Sequence, residues 1–147
     1  MKVTFLRHAT SIFNELKTSE KDCDLSEAGK KQAADLSGEY DIVFCSIMKR
    51  TKQTLALSQI KYGKVNYTHV CREKKTDICD FLPNEDPTKL ETEESVDHRI
   101  YLLKVMLSQY QGKKILVVSH GDFIYQLNGK TKYPENAEFQ EIEIATL

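Results

Sequence analysis

No apolar run in this chain approaches the roughly eighteen residues that cross a bilayer, so it does not read as a membrane-spanning protein. An excess of one charge is lacking too. The 21 Lys and Arg residues face 22 Asp and Glu, a formal net charge of −1. No basic field is therefore expected to hold nucleic acid or anionic lipid, and "KRTK" at 49–52 is too short to make one. Cysteine is present without a pattern: Cys23, Cys45, Cys71 and Cys79 show no C-x-x-C step and no paired histidines. That spacing argues against a zinc module and fits free thiols in a reducing cytoplasm. The opening "MKVTFLRH" lacks the apolar stretch and cleavage site of a signal peptide. "GKT" at Gly129 ends like a phosphate-binding loop, but Ile124 stands where that motif needs its first glycine. Repeats, low-complexity tracts and linkers are missing, so residues 1–147 are expected to form one domain.

Apolar residues at 40% and charged residues at 29% are in the range of a folded globular chain. Residues 2–8 read as a strand on Val3, Phe5 and Leu6. Residues 24–38 read as a helix, with Ser26 as its N-cap, Gly38 as its stop and Gly29 kept for close packing. A strand is expected over 40–46, a helix over 47–60 and a third strand over 64–70. Periodicity fades across 72–91, where Pro83, Asn84 and Pro87 mark a long loop of the kind usually tied to function or motion. Val96, Ile100, Leu103 and Leu107 then line one face of a helix. A fourth strand over 113–120, a short helix to about Leu127 and a last, edge-like strand over 138–147 complete the chain. Strands alternating with helices predict an α/β fold: a three-layer α/β/α sandwich around a mostly parallel sheet.

In such sheets the ligand crevice lies beyond the carboxyl ends of the strands. Arg7-His8, Ser46 with Arg50 one turn on, and Ser119-His120 all fall there. Two guanidiniums repel unless an anion lies between them, and their forks suit phosphate oxygens. Imidazole serves as nucleophile, base or cation near neutrality. Together they point to phosphoryl transfer with a histidine attacking phosphorus. Taken alone, Arg50 reads as an ordinary surface residue and His8 is evenly balanced. His69, inside a strand, and His98, on the polar side of a helix, read as plain polar residues.

The ordered segments resemble the histidine phosphatase superfamily, in its phosphoglycerate-mutase-like branch. "RHATSIFN" from Arg7 to Asn14 is similar to that family's R-H-G-x-[ST]-x-x-N segment, and "DLSEAGKKQA" to its L-[ST]-x-x-G-x-x-Q-A helix start. "CSIMKRTKQT" resembles the segment carrying a second arginine, Arg50, and "CREKKTD" the one carrying an acid, Glu73. "ETEESVDHRI" and "VVSHGDFI" resemble the helix and second-histidine motif that close the set. The resemblance spans nearly the whole chain and implies a phosphoglycerate-mutase-like fold. It implies His8 as the nucleophile, Arg7, Arg50 and His120 as a cationic pocket, Asn14 as a phosphate contact with Ser11 beside it, and Glu73 as proton donor and acceptor. Neither a metal nor another cofactor is implied, because arginines and histidines do the work of Mg²⁺.

Departures from the family pattern set the expected activity. Ala9 stands where glycine is usual; if its backbone needed positive φ it would cost roughly 1 kcal/mol. Thr10 replaces the glutamate of mutases. Mutases place a larger, basic insert after the acid, whereas the loop after Glu73 is acidic, with Glu85, Asp86, Glu91, Glu93 and Glu94 against Lys74, Lys75 and Lys89. A mutase must retain its phosphorylated product, so a phosphatase of a small phosphomonoester, acting in the cytoplasm, is the first reading. A protein phosphohistidine phosphatase, which often lacks the acid, is the alternative. A mutase-type phosphotransferase or an inactive phosphate-binding protein come behind. Oligomeric state is not legible.

Overall fold

The parallel sheet that this alternation demands is present in the computed structural model, which describes residues 1–145. Its elements in chain order are β1 (Lys2–Arg7), α1 (Ile12–Leu16), α2 (Glu27–Ala34), β2 (Ser37–Ser46), α3 (Lys49–Leu57), β3 (Gln59–Thr68), a 3₁₀ turn (Ile78–Asp80), α4 (Glu93–Ser108), β4 (Ile115–Ser119), α5 (Gly121–Leu127) and β5 (Phe139–Glu143). The five strands lie in the order β3-β2-β4-β1-β5. β1 and β2 flank β4 and run parallel to it, β3 runs parallel to β2, and β5 is antiparallel on the outer edge of β1.

Alternation along β1 and β2 divides the core. Val3, Phe5, Ile42, Phe44, Ile115 and Val117 face α4 and α5, which contribute Val96, Ile100, Leu103, Leu107, Phe123 and Ile124. Leu6, Val43, Cys45, Leu116 and Val118 face the other way onto Leu55 of α3. α2 packs beside α3 and joins Ala33 to Ala9 and Leu25. Helices on both faces of a mostly parallel sheet make the expected three layers. All five residues of β4 are buried, as a central strand requires.

Several boundaries differ from the sequence reading. α2 starts on its Ser26 cap but ends at Ala34, and Gly38 does not stop it: with φ at +147° it lies inside β2. β3 begins at Gln59, not 64, and takes residues expected in α3. The reason is the long parallel ladder from Ser37↔Gln59 to Ser46↔Thr68. Main-chain pairing recruits polar residues that show no apolar alternation of their own. His69 lies just past β3, not within it. α1 was not legible, being a single capped turn in which Ser11 and Asn14 form a reciprocal capping box. Of the last strand, Phe139–Glu143 is present, while Thr146 and Leu147 lie outside the described residues.

Candidate active site

Parallel pairing sets Arg7 opposite Ser119 and keeps Ser46 on the same sheet edge. Just beyond that edge the His8 backbone is pinned from three directions. Its N–H donates to the Ser119 carbonyl at 3.0 Å, and its own carbonyl accepts from the Ala137 N–H at 3.1 Å and Asn136 Nδ2 at 3.3 Å. The next N–H, of Ala9, donates to Thr54 Oγ1 at 3.0 Å. Ala9 is buried and does not take positive φ, so alanine there carries no backbone strain.

His8 Nδ1 lies 2.6 Å from the Ala9 carbonyl oxygen. A carbonyl only accepts, so Nδ1 carries the proton and Nε2 presents a lone pair. Arg50 Nε donates to that lone pair at 3.3 Å. Burial, then the charges of Arg50 and Arg7, hold the imidazole well below its ordinary range, and the ring is neutral near pH 7.

His120 packs edge-on against His8, with ring centroids 5.2 Å apart. Its Nε2 lies 2.9 Å from Ser46 Oγ. The same hydroxyl accepts from the Met48 N–H at 3.3 Å. His120 Nδ1 is buried without a protein partner. Burial, then Arg50 and His8, also depress this imidazole well below its ordinary range.

The two arginines differ. Arg7 donates from Nη1 to the Pro134 carbonyl at 2.9 Å and stacks near the Tyr133 ring, while its buried Nε has no protein partner. Arg50 is 2% exposed: Nη1 donates to the Cys79 carbonyl and Nη2 to Asp80 Oδ1, both at 2.9 Å. Asp80 Oδ2 in turn accepts from the Asp77 N–H at 2.9 Å. A buried carboxylate thus fixes the second guanidinium, and two of its five N–H groups remain open.

Glu73 sits at the start of α5. Its Oε2 accepts from the Asp122 N–H at 2.9 Å, and Oε1 from the N–H groups of Phe123 and Lys74 at 2.8 and 2.9 Å. Burial, reinforced by the Asp122 and Asp80 carboxylates, pushes its pKa up to about 8 against the weaker pull of the Asp122 N–H and Arg50. Oε2, with one partner, is the oxygen free to carry a proton. Asn14 Oδ1 accepts from the Ser11 N–H, the Ser11 hydroxyl and Asn136 Nδ2, so its amide nitrogen is what can reach an anion. Arg7, His8, Asn14, Arg50 and Glu73 converge on one cavity of about 180 Å³. His120 packs against His8 and does not itself line the cavity.

The same cavity is lined by Asp77 and Asp80, which with Glu85 were alternatives to Glu73 for the acid in the sequence, and by Tyr133 and Asp122, which sequence reasoning missed. Tyr133 donates to Asp122 Oδ1 at 2.6 Å. The loop over 72–91 is also more ordered than its lack of periodicity implied. Arg72 binds both oxygens of Glu85 at 3.1 and 2.6 Å, and Arg99 both oxygens of Glu91 at 2.9 and 2.8 Å.

A neutral histidine facing two arginines and a protonated carboxyl is the equipment of a phosphatase that uses a histidine. The chain belongs to the histidine phosphatase superfamily (branch 1), whose family model matches residues 3–80. Its enzyme class is accordingly phosphatase. Solved structures share the fold. The alpha-ribazole phosphatase of Shigella flexneri is 21% identical, with 99% of this chain and 91% of that one covered at a TM-score of 0.73. The phosphoserine phosphatase of Entamoeba histolytica, in complex with 3-phosphoglyceric acid, is 18% identical over 95% and 89% of the two chains, TM-score 0.70. The mycobacterial glucosyl-3-phosphoglycerate phosphatase complexed with VO3 is 18% identical over 95% and 90%, TM-score 0.66. Among the described residues, no helix is long and apolar enough to cross a membrane.

Proposed function

We propose that this chain hydrolyses a small phosphomonoester in the cytoplasm, without a metal, through a phosphohistidine on His8, with residues 1–147 acting as one domain. The observation that carries the reading is the His8 tautomer: Nδ1 held by the Ala9 carbonyl, Nε2 turned to Arg50 at the cavity. In the first step Nε2 attacks phosphorus, the P–N bond forms, and the bond to the leaving oxygen breaks. Glu73 Oε2 gives that oxygen its proton. In the second step water attacks phosphorus, Glu73 takes the water's proton, the P–N bond breaks and inorganic phosphate leaves. Arg7 Nε, the open N–H groups of Arg50 and the Asn14 amide supply donors for the phosphoryl oxygens, and His120 backs His8.

Glu73 in the cavity wall supports an oxygen leaving group over the nitrogen of a phosphohistidine, which needs less help from an acid. A phosphotransferase that returns the phosphate to its product is disfavoured. Arg72 and Lys75 are both drawn to Glu85 and are not spare to hold a second anionic group.

The test is hydrolysis of p-nitrophenyl phosphate in excess EDTA by wild type and His8→Ala. Turnover is expected to survive the chelator and to fall by three orders of magnitude or more, roughly, in the variant. Loss of wild-type activity in EDTA, or retention of it without His8, overturns the reading.

A further inference from the structure

The stretch from Tyr133 to Ala137, between α5 and β5, carries no motif and lies outside residues 3–80, where the family model matches. Sheet register decides where it goes. β5 pairs with β1 as far as Leu6↔Phe139, so the residues just before Phe139 fall opposite Arg7 and His8. The Arg7 N–H accordingly donates to the Glu138 carbonyl at 3.2 Å. Ala137 then leaves the ladder with φ at +60°, a left-handed conformation that a residue with a Cβ adopts only at a cost. What the strain secures is a shared donor. The Ala137 N–H lies 3.1 Å from the carbonyl oxygens of both Arg7 and His8.

The remaining contacts of this stretch reach the same site. Arg7 Nη1 donates to the Pro134 carbonyl, and its guanidinium lies 5.4 Å from the centre of the Tyr133 ring. The Tyr133 hydroxyl donates to Asp122, beside Gly121, where a Cβ would overlap that hydroxyl. Asn136 Nδ2 lies 3.3 Å from the His8 carbonyl oxygen and 3.2 Å from Asn14 Oδ1. The Ser11 N–H fixes which end of the Asn14 amide is oxygen. Asn136 therefore faces two acceptors and must present its amide nitrogen to them. Asn136 itself does not line the cavity, so any effect it has on a bound phosphate passes through His8 and Asn14.

We infer that residues 133–137 are a positioning strap for the phosphate site, and that Asn136 is the positioning residue through which the strap sets His8 and Asn14. The inference rests on that cavity taking a phosphoryl group and adds a residue that the reaction above does not use. At His8, Asn136 holds the carbonyl that shares a peptide plane with the Ala9 N–H, whose other end is fixed on Thr54 Oγ1. A peptide held on both sides cannot turn, so the Ala9 carbonyl that keeps the proton on His8 Nδ1 stays in place. At Asn14, the same donor keeps Oδ1 turned away from the phosphate and leaves the amide nitrogen to meet it.

Asn136→Asp keeps the shape and sets a carboxylate against two acceptors. Titration calorimetry with inorganic phosphate on the full chain is expected to show affinity about tenfold or more below wild type near neutral pH. The kcat for p-nitrophenyl phosphate is expected to fall by a similar factor. As pH is lowered the carboxyl gains a proton and becomes a donor again, because two facing acceptors favour its neutral form. Affinity relative to wild type at the same pH is therefore expected to recover. Asn136→Ala, which has no donor to regain, is expected to bind phosphate weakly at every pH, and it serves alone if the aspartate variant does not fold. A residue that only stabilised the fold would lower the melting temperature without this recovery. Phosphate affinity and kcat unchanged in both variants would overturn the strap. So would a loss confined to Asn136→Asp and erased by high salt, which marks charge repulsion alone. A wild type that binds phosphate but turns over no ester would overturn hydrolysis, while binding still decides the strap. A wild type that binds no phosphate would overturn the strap together with the site.

Discussion

Arg50 illustrates how one side chain is fixed by opposing demands. A buried guanidinium without a counter-charge is expensive, and Asp80 supplies that charge from a turn remote in sequence. Asp80→Asn keeps the shape and removes the charge. It is expected to cost roughly 3 kcal/mol of stability, measured as a lower urea midpoint, and to lower kcat/KM as Arg50 loses its set position. The two titrating groups at the reacting bond are shifted in complementary directions. His8, depressed by burial and the arginines, is neutral at neutral pH and somewhat below. Glu73, raised to about 8, keeps its proton until pH passes that value. The active combination of neutral histidine and protonated acid is therefore present through neutrality and lost as pH rises past about 8. For an alkyl phosphate, kcat/KM is expected to be level through neutrality and then to fall about tenfold per pH unit. Glu73→Gln should remove that fall along with roughly 10²–10⁴ of the rate. A wild-type rate still climbing at pH 9 contradicts the assignment.

Among the elements, α2 is the one whose packing reaches the chemistry most directly. Its cap, Ser26, bonds the Thr10 carbonyl through both N–H and hydroxyl, and a Cβ at Gly29 would overlap that same carbonyl. Gly29→Ala gains about 1 kcal/mol of helix propensity, but the overlap is with main chain that cannot rotate away. Overpacking of this kind costs about 1–3 kcal/mol, so the clash prevails. The variant is expected to melt lower and, because Thr10 is two residues from His8, to lose activity per folded molecule as well. Measuring kcat at a temperature where both proteins are folded separates the two effects. Gly29 was legible in the sequence as a packing glycine, since glycine early in a helix has a cost that needs a reason. Gly38 was misread because glycine after an apolar stretch looks like a helix stop, whereas the chain had already turned into β2.

For the molecule as a whole, the sheet is a platform and its two faces are the source of stability. Phe44 lies at the middle of that platform, fully buried in β2 against the α4 side. Phe44→Ala is expected to cost about 3–5 kcal/mol, seen in chemical denaturation. The fraction that remains folded should keep its kcat/KM, since Phe44 touches no group in the cavity. A large drop in kcat/KM of the folded protein would mean that the platform transmits packing defects to its edge.

What the sequence determined by itself was whatever depends on neighbours along the chain. Apolar, β-favouring runs marked β1 and β4, and apolar residues at steps of four, three and four marked α4, because helix side chains share a face by local geometry. Arg7, His8, Arg50 and His120 were placed at one edge because parallel strands end together. Tertiary structure decided what depends on contacts between distant segments. It set the Asp80 partner of Arg50, the backbone N–H groups that hold Glu73, and the Asn136 clamp on His8 and Asn14. The loop over 72–91 has no side-chain period to read, so its conformation is fixed only when its carboxylates find buried arginines in the folded chain.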